Sequence, residues 1–173
     1  MENGMTKEEY EIVGFLLDFI SEGETEYLVV QNETENDFVA GNVDFFKKQE
    51  EELKNLNSGL LLDFVSKNMK SWPLETGRLQ TERKIMLESS EELEKAFDGA
   101  GTSGPGWEAF YKKYPESDGQ TVVSRPGFNI DRTEALVYIA GMHDYLCAEG
   151  NLYHLKKSDS KWQLTDIIPL WIS

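Results

Sequence analysis

"EALVYIAGMHDYLCAEGNLYHLKKSDSKWQLTDI", residues 134–167, decides the fold. Three runs in it, at 134–141, 151–157 and 161–167, are rich in β-branched and aromatic residues, and runs of that length and content read as strands. "SDSK" at 158–161 reads as a tight turn between the last two. In 135–140 both alternating sets of side chains are largely apolar, which predicts a central strand covered on both faces. The ten residues "GMHDYLCAEG", 141–150, are expected to join the first two strands as a long loop. Working upstream, "QTVVSR" at 120–125 supplies a fourth strand, and consecutive strands at this spacing form an antiparallel meander.

Between those strands lies "SRPGFN". Pro126 removes a ladder donor and Gly127 permits a bend, so the segment reads as a bulge or corner. Arg125 then has two readings. It can hydrogen-bond carbonyls or pair with an acid to hold the corner, or it can anchor an anionic ligand at the concave side of the sheet.

The first 118 residues read differently. Thr6 and Glu9 have capping-box spacing, and Ile12, Phe15, Leu16 and Phe19 recur at helical spacing, predicting a helix over 6–20. Helical patterns follow at 43–56, 59–68 and 91–97, the last behind a second capping-box pair, Ser89 and Glu92. Strand patterns occur at 26–34 and 82–88. "DGAGTSGPG", 98–106, reads as a loop, with a short helix over 107–114. The expected fold is therefore α+β: N-terminal helices packed on a C-terminal antiparallel meander sheet of about four to six strands. Residues 1–173 are expected to make one domain, helix-rich and acidic over about 1–118 and β-rich over about 119–173.

Charge narrows the function. The net charge is -15, and residues 1–100 hold 23 of the 32 acids but only 10 of the 17 bases. Such a surface repels phosphates, so nucleic acid and anionic membrane surfaces are not expected as ligands; the charge reads first as a solubility feature, with a basic protein partner or nucleic-acid mimicry as the sharper alternative. No apolar run is long enough to span a bilayer. The single cysteine, Cys147, excludes an internal disulfide and a multi-cysteine zinc site. The N-terminus turns acidic before it turns apolar, unlike a secretory signal. The protein is expected to be cytoplasmic if Met1 is native, or to lie in the cell envelope with a leader already removed.

Little in the chain looks catalytic. Gly99, Gly101 and Gly104 match the dinucleotide pattern by letters, but a helix precedes them where a strand is needed, so no nucleotide site and no cofactor is expected. The acids at 37, 44 and 50–52 lack calcium-loop spacing, and no metal site is expected. His154 sits among apolar neighbours and reads as a structural histidine. His143, Asp144, Tyr145, Cys147 and Glu149 share the 141–150 segment and could bind something polar. The candidate ligand-binding set is Arg125, Tyr138, His143 and Asp144, with no catalytic residues assigned. The tryptophans at 72, 107, 162 and 171 are expected in the core, with the C-terminus docked as a strand.

Trp107, Phe110-Tyr111, Tyr114-Pro115, Gly119, Ser124-Arg125, Gly127-Phe128-Asn129, Ala135-Leu136-Val137-Tyr138, Gly150, Trp162 and Trp171-Ile172-Ser173 form a pattern. It resembles that of a group of uncharacterised bacterial proteins, often secreted or lipoprotein-like. The resemblance covers roughly residues 105–173 and carries no known activity, but it implies an envelope location. Pro126 and Ala148-Glu149 depart from the group's pattern. Three functions stay open: a non-catalytic binding or interaction module of the bacterial cell envelope; a small enzyme or carrier of a small anionic ligand, with a pocket near Arg125 and the 141–150 segment; and an acidic inhibitor or immunity-type protein.

Overall fold

A computed structural model describes residues 3–21, 23, 25–52, 56 and 58–173, with the side chains of 49–52 and 58 excepted. Among these residues seven strands form one sheet: β1 (Tyr27–Gln31), β2 (Lys84–Glu88), β3 (Ser117–Val123), β4 (Gly127–Phe128), β5 (Glu134–Asp144), β6 (Cys147–Ser158) and β7 (Lys161–Ile172). Their order is β2-β1-β3-β5-β6-β7, with β4 also paired to β5. The C-terminal strands are antiparallel, as the meander reading requires. The two N-terminal strands join the same sheet, β1 lying parallel to both β2 and β3.

The long loop expected at 141–150 does not exist. Gly141 pairs with Glu149, Met142 with Ala148 and Asp144 with Cys147, leaving Tyr145-Leu146 as the turn. Residues 144–147 and 149 there are exposed, and composition alone does not separate an exposed strand end from a loop. The turn at 158–161 forms as read: Ser158 pairs with Lys161, and Asp159 and Ser160 have φ of 50° and 64°, the left-handed values of a type I′ hairpin.

Among the described residues six helices cover the sheet: α1 (Lys7–Ile20), α2 (Asp37–Gly41), α3 (Val43–Glu52), α4 (Ser58–Lys67), α5 (Ser90–Ala96) and α6 (Gly104–Lys113). The α1 capping box closes in both directions between Thr6 and Glu9. Its buried stripe is Ile12, Val13, Leu16 and Leu17; Phe15 and Phe19 flank it at 39% exposure each and are not the core face expected of them. Helix α6 starts three residues earlier than predicted, because Ser103 caps Gly106 N–H and Pro105 fits a first turn, where no donor is missed.

Alternation along β5 divides the core. Ala135, Val137 and Ile139 pack with α1 on one face, while Leu136, Tyr138 and Ala140 pack with α2, α3 and α4 on the other. Helices α5 and α6 cover β1 through Phe97, Trp107 and Phe110. Trp107 is buried, whereas Trp72, Trp162 and Trp171 are half-buried against the core. Among the described residues no helix is long and apolar enough to cross a membrane.

Candidate functional site: a cleft between the second helix and the sheet

Where the short α2 meets the sheet, the second face is not fully covered. A cleft of about 350 Å³ opens there, walled by the end of β1, the residues leading into α2, and side chains of β3, β5 and β7. Strand alternation places Tyr138, Ala140 and Met142 of β5 in it, beside Gln120 and Val122 of β3. Trp171 of β7 closes one side.

Tyr138 is the organising residue. Its ring stacks on Phe38 at 4.6 Å and 6°, and its hydroxyl oxygen accepts from the Trp171 indole N–H at 2.9 Å. Burial pushes the hydroxyl up to about 12; the Trp171 bond opposes that rise and the Glu35 carboxylate adds to it. Gly150 makes the arrangement fit, since a Cβ there would collide with the indole of Trp171 and come 2.7 Å from the Tyr138 oxygen.

Glu35 supplies unspent polarity. Glu35 Oε1 accepts from Phe38 N–H at 2.9 Å and so caps α2, but its buried Oε2 has no hydrogen-bond partner among the described residues. Burial raises this carboxyl above the usual range; the Phe38 backbone N–H opposes the rise, and the Asp37 charge adds to it while the Asp37 backbone N–H opposes it. Gln120, 9% exposed, lines the cleft beside Glu35. A buried carboxylate oxygen normally has a partner, and leaving one without costs about 1–3 kcal/mol.

The four residues singled out from the sequence do not converge. Arg125 is 1% exposed and lies in the core: its Nε donates to Glu9 Oε1 at 2.8 Å, its guanidinium stacks over Trp72 at 4.2 Å, and Asn68 bonds its backbone N–H and carbonyl at 2.8 Å each. It is a corner residue tied to α1. Tyr138 lines the cleft. His143 stands on the opposite face of β5, its Nδ1 2.9 Å from the Asp118 carbonyl oxygen, beside a hollow of only about 60 Å³ shared with Glu149 and Asn151. Asp144 is exposed and accepts from Tyr145 N–H at 2.7 Å within the hairpin turn. Ser124 bonds Tyr138, so Arg125 lies near that residue, and His143 is five residues farther along β5, about 17 Å of strand.

Sequence reasoning missed Glu35, Gln120, Phe38 and Trp171 as site residues. No motif joins them; only the register of three strands and one helix entry does. Among the described residues no three histidine, cysteine, aspartate or glutamate side chains gather as a metal would require. Comparisons with protein families, with curated proteins and with solved structures find no match to this chain.

Proposed function

We propose that the protein is a non-catalytic binding module that holds a small ligand, or one side chain of a larger one, in the Glu35–Tyr138–Trp171 cleft. The observation that carries this reading is the preformed cleft itself, whose partly apolar walls surround a buried carboxylate oxygen, Glu35 Oε2, with no hydrogen-bond partner among the described residues. Concave sites with apolar walls and a few convergent polar groups are the usual form of ligand sites. Tyr138 supports holding over proton transfer: with its hydroxyl at about 12, it keeps its proton at neutral pH, whereas general acids and bases work best near ambient pH. The resemblance of residues 105–173 to secreted and lipoprotein-like bacterial proteins supports a place in the cell envelope. Arg125, the anchor expected for a small anion, pairs with Glu9, which supports a site built on the cleft instead.

The test is a fragment library of neutral, cationic and anionic compounds screened by two-dimensional amide spectra of the labelled protein. Fragments are expected to move the Gln120, Tyr138 and Trp171 resonances together, the Trp171 indole N–H included. A library whose hits all fall elsewhere, or that produces none, overturns the proposal.

A further inference from the structure

We infer that the cleft takes a primary ammonium group on an alkyl stem. This rests on the binding-module reading and narrows it to one chemistry. The lining includes the carboxylates of Glu35 and Asp37 and no lysine, arginine or histidine. An anion would therefore enter against like charge, with no cation to compensate it.

The unspent groups are acceptors, and their number suits the guest. Glu35 Oε2 has no donor bonded to it. The Tyr138 oxygen has used one lone pair on Trp171 and keeps another. The Gln120 amide lines the same cleft and carries a carbonyl acceptor. A primary ammonium presents three N–H donors, as many as these acceptors, and a quaternary ammonium presents none. Val122, Ala140 and Met142 form an apolar floor for the stem, and the indole of Trp171 stands at its side. The source can be a free alkylamine or a lysine side chain of a partner protein, since both bring the same chemistry.

The experiment titrates n-butylammonium, n-butanol and butyrate into the labelled protein at about pH 8, following the cleft amides and the Trp171 indole. n-Butylammonium is expected to bind at least about tenfold more tightly than n-butanol, because a hydrogen bond to a charged group is roughly twice as strong as a neutral one. Glu35→Gln keeps the Oε1 cap on Phe38 and is expected to bring n-butylammonium down to the n-butanol level. Asp37→Asn, which leaves the three acceptors in place, is expected to retain most of the preference. Equal or tighter binding of n-butanol or butyrate overturns the ammonium inference while leaving the binding module standing. So does a Glu35→Gln protein, folded by its amide spectrum, that binds n-butylammonium undiminished. If no probe of any charge moves a cleft resonance, both readings fall. A blocked Gly-Lys-Gly peptide then separates the sources: tighter binding than n-butylammonium assigns the site to a protein lysine, and weaker binding to a free amine.

Discussion

Glu9 does two jobs with one carboxylate. It completes the α1 capping box with Thr6, and it faces Arg125, each side chain being 1% exposed. Removing one partner of a buried pair leaves the other charge uncompensated, at a cost of about 3–5 kcal/mol. Glu9→Ala is therefore expected to lower the free energy of unfolding by that amount in urea titrations. Glu8, one residue away, pairs with Arg132 and Lys157 at 22% exposure, where such pairs contribute under about 1 kcal/mol. Glu8→Ala is expected to show that smaller loss, and equal losses for the two variants would contradict the contrast. Glu35 has the opposite sign. Its folded-state carboxyl is raised by burial, so its stabilising share is complete below the unfolded value of about 4.3 and is lost as pH rises through the folded one. Glu35→Gln is expected to raise the melting temperature at pH 7 and to leave it nearly unchanged at pH 4; a lower value at pH 7 would refute that account. Arg125 was legible as a corner from Pro126 and Gly127, but its acid was not, because Glu9 lies 116 positions upstream and already had a local role as a cap.

Strand identity was the most legible feature. The runs at 134–141, 151–157 and 161–167 lie in strands, the run at 120–125 does so as far as Val123, and the apolar character of 135–140 marked β5 as covered on both faces. Strand ends were not legible: 141–150 carries the polar composition of a loop, yet continues the β5–β6 ladder. The cleft was illegible for a related reason, since its walls come from five elements, four strands and the entry to α2, brought together by register. Two variants test these elements. Asp159 and Ser160 already adopt left-handed backbone, so Asp159→Asn with Ser160→Gly is expected to stabilise the β6–β7 hairpin by about 0.5–1 kcal/mol in urea titrations. Gly150→Ala places a methyl against the Trp171 indole and the Tyr138 oxygen, and is expected to cost about 1–3 kcal/mol. The readout for that variant is the Trp171 indole resonance, which is expected to shift as its bond to Tyr138 breaks; an unmoved resonance would show that the cleft wall tolerates the methyl.

At the scale of the molecule, the helical and β-rich halves share one sheet through the β1–β3 pairing. Heat is accordingly expected to unfold the chain in one step, with circular dichroism and tryptophan fluorescence giving the same midpoint, and a fragment of residues 1–118 is expected not to fold alone. Separate midpoints would mean that the halves are independent. That sharing also has a bearing on how the chain reaches this state. Tyr27 aligns with Lys84 on one side and Ser117 on the other, so β1 has no sheet neighbour until much later chain has been made. The β5–β6–β7 meander needs only local turns and can close on its own. During synthesis, then, Leu28–Val30 waits as an unpaired apolar strand while the ribosome completes the rest. Loop closure over such separations is slow, so docking of β1 should set the pace of folding, and the nascent protein is most exposed to aggregation in that interval.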